Sequence, residues 1–86
     1  MSKIQYNTID EVLRRLGTGR STLYTKVQQG TFPKPIKLGK RKVAWPQHEV
    51  DQMMIFYLRS PSERQAQDFV RDLESNRLLE GQINEL

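Results

Sequence analysis

Apolar residues recur along this chain in short helical stripes, interrupted once by an alternating stretch. Ile9, Val12, Leu13 and Leu16 follow the i, i+3, i+4, i+7 spacing of one helix face. Ahead of them Thr8-Ile9-Asp10-Glu11 reads as a capping box, in which the Thr8 hydroxyl and the Glu11 carboxylate each satisfy a backbone N–H. The pattern predicts a first helix from there to about Leu16. Gly17-Thr18-Gly19 breaks it, at the length of a tight helix-turn-helix corner. A second helix follows from Arg20 and is closed by Gly30, a residue suited to a left-handed cap. Its apolar stripe is only Leu23 and Val27. Its other face carries Arg20, Ser21, Tyr24, Thr25 and Gln28, with Lys26 on the flank and no acid among them. A helix thinly apolar on one side and rich in hydrogen-bond donors on the other suits a DNA groove. The bland alternative is a short surface helix that meets only water.

Beyond Gly30 the period changes. Phe32-Pro33-Lys34-Pro35 cannot be helical, because two prolines bracket a lysine. Ile36-Lys37-Leu38 and Val43-Ala44-Trp45 are strand-like pieces around a Gly39-Lys40-Arg41-Lys42 turn. The expectation is a small β-hairpin, a wing, packed on the helices through Phe32, Ile36, Leu38, Val43 and Trp45. Its three consecutive cations repel one another, and an anion would relieve that; a solvated basic turn would show the same composition. Pro46 suits the first position of a third helix, with Glu49 near its positive end. Val50, Met53, Met54 and Tyr57 lie on one face of it, and Ile55, Phe56 and Leu58 leave it apolar on others, so something must cover it. Ser60-Pro61-Ser62-Glu63 reads as a second capping box with proline at the first helical position. The helix it opens is expected to run to about Glu80, before Gly81, with Ala66, Phe69, Val70, Leu73 and Arg77 in one stripe and Leu78 and Leu79 off it.

Charge sharpens this picture. Residues 1–60 hold eleven Lys/Arg against four Asp/Glu, and residues 61–86 hold three against six. A basic body with an acidic tail points to a polyanionic partner for the body alone. No cysteine and one histidine argue against disulfides, a zinc site or any other metal, and no cofactor is expected. No apolar run approaches the roughly 20 residues of a membrane span and no signal-peptide core is visible, so a soluble, cytoplasmic protein is expected, without a membrane partner. An enzyme is disfavoured: Ser21 or Tyr24 as a nucleophile would have no His or carboxylate constellation to activate it.

The blocks R-S-T-L-Y (20–24), G-T-F-P-K-P-I-K-L-G (30–39), V-A-W (43–45) and E-V (49–50) resemble the AlpA family of phage and genomic-island regulators, related to MerR-type winged helices and phage excisionases. The resemblance covers roughly residues 8–58. It implies a mainly α fold with a small β-hairpin, a winged helix-turn-helix, to which this chain adds a C-terminal helix. By position it puts Arg20, Ser21, Thr22 and Tyr24 in the recognition helix and Lys40, Arg41 and Lys42 in the wing. Gly19 stands where the family usually has a serine cap, so this helix start should be weaker by a few tenths of a kcal/mol.

The expected organisation is a winged helix-turn-helix DNA-binding unit over 1–59 and an assembly or core-covering helix over 60–86. The expected function is sequence-specific binding of double-stranded DNA by a regulator or excisionase-type directionality factor of a phage or mobile element. It would act on the nucleoid of a bacterial host, as a homodimer or cooperative assembly, with an integrase as a further partner. Arg20 would contact guanine, Ser21, Thr25 and Gln28 would support base reading, and Tyr24 and Lys26 would hold phosphate. Met53, Met54, Tyr57, Phe69, Val70 and Leu73 would form the assembly surface. The competing expectation is a protein-interaction module such as an antirepressor or antitoxin-like adaptor.

Overall fold

Thr8 stands at the junction of a strand and a helix and serves both. In the computed structural model, which describes residues 4–84 and side chains through Arg77, it ends strand β1 (Tyr6–Thr8) and caps helix α1 (Ile9–Leu16). Its backbone N–H donates to Glu11 Oε1 at 2.7 Å, and the Glu11 N–H donates to Thr8 Oγ1 at 3.2 Å. The first of these bonds holds the Glu11 carboxyl below its ordinary pKa. Both halves of the expected capping box are therefore formed. Gly17 closes α1 with φ +67°, a left-handed conformation that costs glycine nothing. Gly19 is the N-cap of α2 (Arg20–Gln29) and supplies no side-chain bond, as its composition requires. Gly30 caps the far end at φ +79°.

The hairpin forms, and a third strand joins it. β3 (Val43–Pro46) is central, pairing antiparallel with β2 (Ile36–Lys37) on one side and with β1 on the other. Asn7 faces Trp45 and Ile36 faces Ala44 across the two ladders. The lead-in before α1 thus belongs to the sheet. Tyr6 is exposed, so this strand is held by backbone pairing and by Asn7, and an apolar alternation does not mark it.

Three boundaries differ from the sequence expectation. Pro46 is the last residue of β3 and the N-cap of α3 (Gln47–Tyr57), one position ahead of the first helical residue. The second capping box sits two residues later than expected. Ser62 and Gln65 exchange the reciprocal bonds at 2.9 and 3.1 Å, and helix α4 starts at Glu63 and runs to Asn84. Ser60 takes φ +50° instead, turning the chain between α3 and α4. Gly81 does not end α4: a mid-helix glycine costs about 1 kcal/mol and does not by itself terminate a helix. The expectation for Leu78 and Leu79 lies outside the described side chains.

One core joins all these elements. Val12 from α1, Leu23 from α2, Phe32, Trp45, Val50 and Met53 from α3, and Val70 and Leu73 from α4 are buried together. Phe56 of α3 stacks on Phe69 of α4 with centroids 4.2 Å apart. Met53, Val70 and Leu73 are inside this core, with Met54, Tyr57 and Phe69 packed against it. The six residues expected to form an assembly surface therefore pack within the chain, because α4 is what covers α3. Outward apolar surface remains at Ile55 and at Leu58, which is 82% exposed.

A buried ion pair fastens α4. Glu49 is fully buried, and Arg77 reaches it with Nε at 2.8 Å and a terminal nitrogen at 2.6 Å. Such two-pronged geometry is what makes a buried carboxylate tolerable. Arg15 plays a comparable part nearer the surface, bridging Asn7 of β1 and Asp51 of α3.

Candidate nucleic-acid interface

Helix α2 buries Leu23 completely and Val27 in part. At about 100° per residue, Ser21, Thr25 and Gln28 fall on the side opposite Leu23. All three are exposed, as are Arg20, Thr22 and Tyr24. The six polar candidates on this helix thus share an uncovered surface bearing hydroxyls, an amide and a guanidinium. Lys26 does not join them. Half-buried, it sits 5.2 Å from the centroid of the Tyr57 ring, on the flank that meets α3.

Arg20 stands at the start of the helix, 65% exposed, with a terminal nitrogen 3.6 Å from Asp10 of α1. At that exposure the pair contributes little, so the guanidinium can exchange this carboxylate for another acceptor at small cost. Gly19 leaves the amino end of α2 without a side-chain cap, so its first turn lacks the acceptor that a serine would supply.

The wing tip carries Lys40, Arg41 and Lys42, all exposed, on a turn closed by Leu38 N–H donating to Lys42 O at 2.8 Å. Lys37 of β2 is exposed as well. Of the two α1 arginines, Arg14 is exposed while Arg15 is held by Asn7 and Asp51. Reading the sequence alone misses the partners of Arg15 and Glu49. Their partners lie 36 and 28 residues away along the chain, and no local pattern connects them.

The segment from Gly30 to Pro35, joining α2 to the wing, is densely tied. Trp45 Nε1 donates to Pro33 O at 2.7 Å and Tyr57 Oη donates to Thr31 O at 2.5 Å. Burial pushes the Tyr57 phenol above its ordinary pKa, against the smaller effect of the bond to Thr31.

These two surfaces, a polar helix face and a cationic hairpin tip on a helix-turn-helix frame, are the setting for the comparison with known proteins. The model of the family described as Prophage CP4-57 regulatory protein (AlpA) matches residues 8–58, more than half of the chain. The chain belongs to the AlpA family. A curated relative, the uncharacterized protein ORF88 of Enterobacteria phage P4, is 39% identical over 46 residues. That alignment covers 54% of this chain and 52% of the relative, so the chain spans about half the length of the curated protein it matches. No solved structure matches the chain significantly. The AlpA family is described as one of prophage regulatory proteins. The AlpA match contains β2, β3, the wing and all of α1 to α3, Glu49 included, and ends before α4. No helix among the described residues is long and apolar enough to cross a membrane.

Proposed function

We propose that this protein is a sequence-specific, double-stranded-DNA-binding regulator of a phage or mobile element, with α2 in the major groove and the wing on the adjacent backbone. The observation that carries this reading is the outward face of α2. Arg20, Ser21, Thr22, Tyr24, Thr25 and Gln28 are all exposed there, and the face contains no acid. Arg20 offers the bidentate fork that suits guanine, and Ser21, Thr25 and Gln28 are short polar groups able to approach base edges. Tyr24 of this helix and the exposed Arg14 of α1 suit phosphate. Lys40, Arg41 and Lys42 would neutralise phosphates beside the groove or reach the minor groove. Acting as an excisionase-type directionality factor is the variant of this function that would add DNA bending and an integrase partner.

One such module makes a small interface, so useful affinity calls for several copies on repeated or inverted sites. With α4 folded onto its own chain, Ile55 and Leu58 are the exposed apolar residues best placed to join neighbouring copies. The same two residues are what an antirepressor or adaptor would present to a protein partner, which leaves the polar face of α2 unexplained.

Gel shifts against the DNA flanking the protein's own gene and the attachment site of its element test the proposal. About 4–5 phosphate contacts, from the wing cations, Arg14 and Lys37, give a slope of log K against log salt of about −4. Binding that ignores salt, or that treats these duplexes and scrambled ones alike, would reject it.

A further inference from the structure

The segment that connects the two proposed DNA-reading elements is held by side chains from three other places in the fold. Gln67 of α4 donates from Nε2 to Gln29 O, in the last turn of α2, at 2.9 Å. Tyr57 of α3 donates to Thr31 O and Trp45 of β3 to Pro33 O. Lys34 is gripped at both ends of its residue: its N–H donates to Glu74 Oε2 at 2.9 Å and its carbonyl accepts from Arg77 at 2.7 Å. Each of these backbone groups lies outside the helix and strand ladders. The residues that satisfy them are 12 to 43 positions away in sequence. Three of the five bonds come from α4, which lies outside the AlpA match and bears acids that phosphate would repel.

We infer that Tyr57, Gln67 and Glu74 are positioning residues that lock the joint between α2 and the wing, so that α4 governs DNA affinity without touching DNA. The inference rests on the DNA-binding reading above. An unlocked joint would let the helix and hairpin sample many relative angles, of which few fit one duplex. The ordering cost would then fall on binding, and holding the bound geometry in advance removes it. Ordinary surface packing of α4 needs none of these contacts, since Ala66, Val70 and Leu73 already bury its inner face. The charged and amide groups reach past that face to the same short stretch of backbone. Arg77 shares its guanidinium with Glu49 and so combines this role with a structural one.

The test uses the full chain with Tyr57→Phe, Glu74→Ala and Glu74→Gln. The probes are a duplex selected from a random library by the wild-type protein and a scrambled duplex. Losing one such hydrogen bond should weaken binding to the selected duplex about five- to tenfold. The salt slope should stay at its wild-type value, because no phosphate contact is removed. Amide exchange at Lys34 should quicken in Glu74→Ala and return to normal in Glu74→Gln, which keeps an oxygen acceptor, and affinity should return with it. Should Glu74→Ala fail to fold, Tyr57→Phe, which removes a single hydroxyl, carries the same comparison through exchange around Thr31. Full affinity in a variant whose joint exchanges faster overturns the inference, as does unchanged exchange. A folded wild-type protein that selects no duplex overturns the DNA reading itself. In that case the exchange data still decide whether the joint is locked.

Discussion

At the scale of single residues, the two cationic groups proposed to meet DNA differ in surroundings and so in expected role. Arg20 sits in the first turn of α2, beside an exposed carboxylate that holds it only weakly. Lys40, Arg41 and Lys42 occupy a turn tip and are exposed. A guanidinium with a fixed base can read a base edge, whereas three flexible charges on a turn can follow a backbone without reading it. Arg20→Ala should therefore cost about 1–3 kcal/mol on the specific site and little on random DNA. Replacing all three wing cations by alanine should weaken both alike and flatten the salt slope by about 3 units, one per lost contact. Parallel titrations of a specific and a scrambled duplex at several salt concentrations distinguish the two. Equal losses everywhere from Arg20→Ala would remove α2 as the reader.

Among the elements, those marked by local chemistry were legible in the sequence. α1 announces itself through Thr8, Glu11 and a regular stripe, and α2 through the glycines at its ends. The wing shows in its alternation around three cations. β1 was hidden because only three residues pair, and what holds them is the backbone of β3 and the carboxamide of Asn7, which Arg15 contacts. The start of α4 was misplaced because Ser60-Pro61-Ser62-Glu63 and Ser62-Glu63-Arg64-Gln65 both satisfy the capping-box pattern. Which one closes depends on where Ser60 turns the chain, a matter of tertiary fit. Of the proposed reading face the polar composition and the flanking place of Lys26 were visible, but the engagement of Lys26 by an aromatic ring was not. That follows from packing against Tyr57, a residue in another helix.

Glu49 was the most deceptive element-level signal: an acid in a first turn ordinarily complements the helix dipole, whereas here it is buried and bound to Arg77. Removing one member should be far worse than replacing both. Arg77→Met should cost about 3–5 kcal/mol, since it strands a buried carboxylate. A Glu49→Met, Arg77→Met double variant should recover much of that loss, because two apolar chains can fill the space. Urea unfolding of the three proteins measures this, and a double variant as unstable as the single one would refute the explanation.

For the whole molecule, the consequence is a single core spread over a longer stretch than the family match. Val70 and Leu73 belong to the same cluster as Trp45 and Val50, and the ion pair spans the same junction. Ending the chain after Arg59 should uncover Val50 and Met53 and leave Glu49 without its cation. The truncated protein should lack a cooperative thermal transition. A cooperative transition near the wild-type temperature would instead make residues 1–59 an autonomous unit. The concentration of acids in residues 61–86 then has a simple consequence: the helix that completes the core keeps its own outer surface away from phosphate.

Ser60 is left-handed at φ +50°, at a corner where the next element has not yet begun. For a residue with a side chain that conformation costs on the order of 1–2 kcal/mol, and glycine would hold it without penalty while losing about 0.5–1 kcal/mol of extra chain entropy on folding. Ser60→Gly should thus leave the protein as stable or more stable by up to about 1 kcal/mol, a rise of a few degrees in melting temperature for a chain this short. A fall in melting temperature would show that serine is the better fit. On that expectation serine leaves a margin of heat tolerance unused, at a corner between α3 and α4 that holds none of the residues proposed to meet DNA. One substitution is enough to draw on it, so selection for heat tolerance can act there and leave the proposed reading face unchanged.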